Sequence, residues 1–161
     1  MPIYIKLDGI DGEVTAAGYE KWIEVLSFSW GVTQQISSSG GGGGAGKASF
    51  QDIHFQQKTQ VSSPNIVKAC ATGEHIKFGE LDFIKGERSP NSTAFMKIKL
   101  EDVLVSSIQW GGAEGSDNDV PSESIGLNFA KFEFDFVEQN ADGSLGNTNS
   151  FAFDISRNAV P

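Results

Sequence analysis

The chain has 161 residues, enough for one domain that buries most of its apolar surface without staples. Its net charge of -9 argues against nucleic-acid binding, which needs clustered Lys and Arg to neutralise phosphates. One cysteine, Cys70, leaves no intramolecular disulfide for the fold to depend on, and composition is otherwise ordinary apart from twelve Phe and nineteen Gly.

The opening stretch MPIYIKLDGIDGE lacks the basic n-region and continuous apolar h-region of a signal peptide, because Asp8 and Asp11 fall where aliphatics would be needed. No apolar run reaches the length that spans a bilayer. The expectation is a protein folded in the cytoplasm, with any export using no cleaved N-terminal signal and no membrane insertion of its own.

Period-two alternation then takes over. From Trp22 to Gln34, one face carries Trp22, Glu24, Leu26, Phe28 and Trp30, and the other Ile23, Val25, Ser27 and Ser29. This pattern predicts a continuous strand with an aromatic inner face. Next comes SSSGGGGGAGKASF, Ser37 to Phe50, in which Gly41 and Gly46-Lys47 match most of a phosphate-binding loop. Ala48 stands where that loop needs a magnesium-binding hydroxyl, and the following SFQDIHFQQK alternates Ile53 and Phe55 like a strand. No βαβ repeat carries the motif. The tract is therefore expected to be a flexible Ser/Gly loop joining two strands, with glycine also permitting close backbone approach to another surface.

The segment SSPNIVKACATG predicts the one helix, over about residues 64–72. Ser63 serves as N-cap and Pro64 takes the first helical position, where its missing N–H costs nothing. Ile66, Val67 and Cys70 form its buried face, and Gly73 suits the left-handed C-terminal position. A helix this short needs a sheet to pack on.

A strand follows from about His75 to Lys85, kinked between Phe78 and Leu81–Phe83. Met96, Ile98 and Leu100 lie in one phase and Val103 and Val105 in the other, which requires a bulge near Glu101-Asp102. The same slip recurs at Ala130-Lys131, between Leu127 and Phe129 on one side and Phe132, Phe134 and Phe136 on the other. Two phase-slipped strands predict a coiled sheet. An Asp-Gly turn within Asn140–Ser144 pairs the second of them with a last strand bearing Phe151, Phe153 and Ile155. The fold class is mainly β: an antiparallel β-barrel with one short lateral helix and an extended Gly-rich loop, a single domain over 1–161.

No catalytic, cofactor or metal constellation emerges. His54 and His75 are the only histidines, too few for a zinc site with one cysteine on a buried helix face. Asp117-Asn118-Asp119 and Asn140-Ala141-Asp142-Gly143 lack the terminal Glu of a calcium loop and read as turns. What stands out is the sheet exterior around Ser27 and Ser29, poorer in charge than a free barrel shows to water. It is either covered by the helix or a loop, or it is a self-association surface.

Five blocks together resemble the haemolysin-coregulated protein (Hcp) family: VLSFSWGVTQ, GGGGGAGKASFQDIHF, SSPNIVKACATGEH, LEDVLVSSI and SIGLNFAKFEFDF. The resemblance covers Ile3 to about Ile155. It implies a non-enzymatic tube subunit of a bacterial type VI secretion system, a homohexameric ring that stacks into a hollow tube and needs no cofactor. Its implied partners are further copies of itself, a spike protein at the tube tip, contractile sheath proteins and secreted effectors carried in the lumen. It implies passage from the bacterial cytoplasm to the extracellular space or a target cell. The loop Gly40, Gly41, Gly42, Gly43, Gly44, Ala45, Gly46 and Lys47 would reach toward the adjacent ring, and Ser29, with Ser27, would face the lumen. Phe95-Met96 stands where many members carry Tyr-Leu, and the acidic loop Gly111–Glu123 departs too, which bears on cargo and tip partner. The competing class is a monomeric ligand-binding β-barrel with its site among the loops at one mouth.

Overall fold

The computed structural model describes residues 1–37, 44–86, 93–115 and 119–161. Its elements are β1 (Ile3–Leu7), β2 (Ile23–Glu24), β3 (Ser27–Ser29), β4 (Val32–Ser37), β5 (Gly44–Phe50), β6 (Ile53–Lys58), α1 (Ser63–Thr72), β7 (Ile76–Ile84), β8 (Ala94–Gly111), β9 (Ser122–Gln139) and β10 (Leu145–Asp154). All strand pairings are antiparallel. Among the described residues the fold is mainly β with one helix, as expected from the sequence.

The main sheet runs β2-β1-β7-β8-β9-β6-β3, with β10 added to β9. The expected barrel is not a closed ladder, since no strand pairing joins β2 to β3. Instead, the segment after Trp22 spans the gap: Val25 N donates to Ile3 O at 2.9 Å and Leu26 N to Gln56 O at 2.8 Å. That handover breaks the single strand expected over Trp22–Gln34. Ile23 and Val25, assigned above to the outer face, are buried in the core, whereas beyond Leu26 the phase reverses and Phe28 and Trp30 pack inward. Changing partner strands forces the reversal, which alternation alone does not announce.

The two long strands bend where their phases slip. Asp102 adopts φ +53°, and neither it nor Ala130 is paired in the β8–β9 register. The Ala130 carbonyl instead accepts from Ile155 N at 2.8 Å. Val103, Phe129 and Phe132 thereby all enter one core with Leu81, Leu100 and Leu127. The Asn140–Ser144 turn closes the β9–β10 hairpin as expected, with Gly143 at φ +87°.

Helix α1 begins one residue earlier than expected. Ser62, not Ser63, is the N-cap, and it makes no side-chain cap bond. Its buried positions are Ser63, Ile66 and Ala69, with Val67 and Cys70 only half-buried. Gly73 takes the left-handed position (φ +68°) and donates its N–H to Ala69 O.

Candidate interaction surfaces

The glycine-rich segment builds an arm. Among the described residues β4 and β5 pair only with each other, from Val32 opposite Phe50 to Ser37 opposite Gly44. Gly44 to Lys47 therefore lie in a strand, which corrects the loop expected there; Gly40 to Gly43 lie outside the described residues. Lys47 lies in a strand, at the register shift of the ladder, where a phosphate-binding loop would open a helix. Val32 and Ile36 are exposed, the latter 75 %. At Gly46 a Cβ would sit 2.8 Å from the Gln35 carbonyl oxygen, so only glycine fits the arm's bulge.

One half of the outer sheet face is largely neutral, with Lys58 exposed at the far end of β6. Ser27 pairs with Gln56 and Ser29 with His54. These pair in turn with Ser124 and Gly126 on β9, which face Gln109 and Ser107 on β8. Ser27, Ser29, His54, Gln56 and Gln109 are exposed. At the edge, the Asp52 carboxylate accepts from Ser106 Oγ at 2.7 Å and Asn128 Nδ2 at 3.0 Å, so its charge is spent on orienting neighbours.

Past the bend at Asp102 and Ala130, the same outer face carries an ionic lattice. Lys97 lies between Glu80 (3.6 Å) and Asp82 (3.8 Å), Lys99 between Asp135 (3.3 Å) and Glu133 (3.7 Å), and Lys131 between Asp154 (3.7 Å) and Glu101 (3.9 Å). Burial opposes the charge on Lys99, but its hydrogen bond to Asp135 and the nearby carboxylates outweigh this and raise its pKa. Asp82 is buried and accepts a 2.7 Å hydrogen bond from the Tyr19 hydroxyl. Burial first, and then the Glu80 carboxyl beside it, push its pKa up to about 7 against the pull of Tyr19 and Lys97. Burial and Asp82 likewise raise Tyr19. Ser156 Oγ donates to Asp154 at 2.6 Å and, with the Arg157 N–H, holds that carboxyl below its usual range.

A third polar group was not legible in the sequence. Glu123 is buried on the core side and accepts from Gln57 Nε2 (2.7 Å), Trp110 Nε1 (2.8 Å) and Ser63 Oγ (3.0 Å). One carboxylate thus ties β6, β8 and the first turn of α1 together, in place of the missing side-chain cap. Its only sequence signal is an acid in phase with Ile125 and Leu127.

Aromatic side chains also reach the surface. Phe132 contacts Trp30, Phe50, Phe151 and Phe153, and this cluster runs outward to Phe151, 51 % exposed on β10, while Phe136, 45 % exposed on β9, meets Phe95. His75 is exposed and meets Asp102 through Nδ1 at 2.6 Å. Among the described residues no three His, Cys, Asp or Glu converge as for a metal, and no helix is long and apolar enough to cross a membrane.

These features define a class: a mainly β protein whose distinctive groups are laid out on surfaces, with an arm standing off the sheet. A family model described as "Type VI secretion system effector, Hcp" matches residues 4–136, and the chain belongs to the Hcp family. It is 36 % identical to Protein hcp1 of Pseudomonas aeruginosa over 158 residues, 97 % of this chain and 96 % of that one. Among solved structures it superposes on a type six secretion system protein with TM-score 0.91, 29 % identity and 99 % coverage of both chains. Hcp1 from Salmonella typhimurium gives TM-score 0.80 at 28 % identity, covering 99 % of this chain and 98 % of its own.

Proposed function

We propose that this chain is a single-domain tube subunit: six copies close a ring, and rings stack through their arms into a hollow tube. The tube works inside a contractile sheath and beneath a spike, leaves the cytoplasm without a cleaved signal, and carries effectors in its lumen. It catalyses no reaction and needs no cofactor. The observation that carries this reading is that one small chain leaves two surfaces unfinished, the arm with Val32 and Ile36 and the aromatic edge at Phe136 and Phe151. Apolar side chains left bare in this way are characteristic of surfaces that another chain covers.

In this reading, Ser27, Ser29 and the largely neutral face around them form the lumen wall. Neutral hydrogen-bonding groups accept different cargoes without demanding one charge pattern. The arm from Gly40 to Lys47 supplies the contact between rings. Each chain carries -9, so a hexamer carries 6 × -9 = -54, and stacking is expected to strengthen as salt screens this repulsion.

Native mass measurement at tens of micromolar is expected to give a six-subunit species, and negative-stain images annular particles. Phe151→Glu, which places a charge in the aromatic edge, is expected to shift the population to monomer while leaving the circular dichroism of the fold intact. A wild-type chain that remains monomeric under these conditions overturns the proposal in favour of the monomeric ligand-binding barrel.

A further inference from the structure

A gap is built into the neutral half of the sheet at Gly126. A Cβ there would meet Ser107 Oγ at 2.6 Å, Ser106 Oγ at 2.8 Å and His54 Cε1 at 3.1 Å. Glycine inside a strand weakens it, and marks a place where something else needs the space. Here two hydroxyls of β8 and the His54 imidazole take that space, and the imidazole stays exposed. In register, His54 stands between Ser29 on β3 and Gly126 on β9. Among the described residues no side chain hydrogen-bonds its ring or pairs with it. The carboxylate two residues earlier, Asp52, is already committed to Ser106 Oγ and Asn128 Nδ2.

The charges around His54 form a short ledger. β3, β8 and β9 bring no ionising side chain to this side of the sheet, since Glu123 of β9 is turned into the core. β6 and the residue before it bring Asp52 and Lys58, which cancel within each chain. Imidazole is the ordinary side chain that gains a charge as pH falls from about 8 to about 5. His54 therefore sets the sign of this wall: neutral when the ring is neutral, positive when it is protonated. In a ring of six chains the change is 6 × +1 = +6, gathered on one enclosed surface where fields are focused. The remaining groups that respond near neutrality lie elsewhere. Asp82, which titrates near 7, is on β7 in the lattice half, and His75 is held by Asp102 at the bend.

We propose that His54 is the charge selector of the cargo surface: protonated, it makes the wall bind acidic protein segments, and neutral, it lets them go. The exposed serine and glutamine side chains around it hydrogen-bond a peptide at any pH, so selection by charge comes from the imidazole alone. The coupling is reciprocal, so an acidic cargo draws protons onto the wall as it binds. This inference rests on the lumen reading above and adds the class of cargo and the condition of its release.

The test is a short rhodamine-labelled polyglutamate peptide titrated onto the assembled protein at low salt, with binding read by anisotropy. The wild type is expected to bind it about tenfold more tightly at about pH 5.5 than at about pH 8. His54→Gln, neutral and of similar size, is expected to change less than about twofold, and His54→Lys to bind tightly at both values. Calorimetry in two buffers of different ionisation enthalpy is expected to show proton uptake on binding for the wild type and none for His54→Gln. Annular hexamers whose pH response survives His54→Gln, or which leave the probe unbound at about pH 5.5, overturn the selector while the tube reading stands. A chain that stays monomeric overturns the lumen reading and the selector with it.

Discussion

The β8–β9 hairpin carries two chemistries on one continuous outer face. Between Asp102 and the β8 C-terminus it presents Ser107, Gln109, Ser124 and Gly126, while before the bend Lys97 and Lys99 interleave with Asp135, Glu133 and their neighbours. The core side of both halves is alike, with Ile98 and Leu100 in one and Val103, Val105 and Ile125 in the other. The difference teaches that burial sets the fold and leaves the exterior open to assignment. Opposed charges make the lattice half sensitive to pH and salt, whereas the hydroxyls and amides of Ser27, Ser29, Gln56 and Gln109 carry no charge for either to act on.

The largest effect is expected where the largely neutral half rests on its buried anchor. Glu123→Ala leaves the donors of Gln57, Ser63 and Trp110 without their acceptor and is expected to cost about 3–5 kcal/mol. Urea denaturation measures it, and Trp110 emission should report its released indole. A loss under 1 kcal/mol would show that water replaces the carboxylate readily.

The pH dependence belongs to the lattice half. Asp82 titrates near 7 in the folded chain and near 4 when unfolded, so folding favours its protonated form. Its contribution is complete below about pH 4 and lost as pH rises through about 7, on the order of 3 kcal/mol in total. Asp82→Asn is expected to flatten the fall in stability between pH 5 and pH 8, read by denaturation at each pH. An unchanged slope would place that titration elsewhere.

At the bend itself, Asp102→Val forces a β-branched residue into φ +53° and is expected to cost about 1–3 kcal/mol, whereas Asp102→Gly relieves the backbone. Thermal melts of the two variants should therefore move apart. The smallest effects separate the two faces most cleanly. Lys99→Met, at a half-exposed ion pair, is expected to cost at most about 1 kcal/mol, less in 0.5 M salt. Ser27→Ala with Ser29→Ala should change stability by less than about 0.5 kcal/mol, with no salt dependence. A salt-dependent effect at the serines would erase the contrast between the halves.

What was legible in the sequence was whatever depends on neighbours along the chain. The slips at Glu101-Asp102 and Ala130-Lys131 show directly in the apolar phase, because a bulge must re-aim every following side chain. The Asp-Gly turn and Gly73 were legible for a similar reason, since both answer a local backbone requirement. Glu123, Asp82 and the handover at Val25-Leu26 were not, because each depends on partners far along the chain: Gln57 lies 66 residues from Glu123, and Tyr19 lies 63 from Asp82. The arm fell between these cases. Its glycines read as a loop because glycine strands lack side-chain pattern, and only pairing with Val32–Ser37 shows Gly44–Phe50 to be a strand.

By itself, then, the sequence determined a β-rich chain with one helix, two bends and a family signature, all written in spacing between near neighbours. Only the tertiary structure decided which residues of the Trp22–Trp30 segment enter the core, where the buried carboxylates find donors, and that Gly44–Phe50 pairs with Val32–Ser37 as an arm. Those outcomes depend on which strand lies beside which, and strand order is a long-range choice that hydrophobic alternation cannot encode.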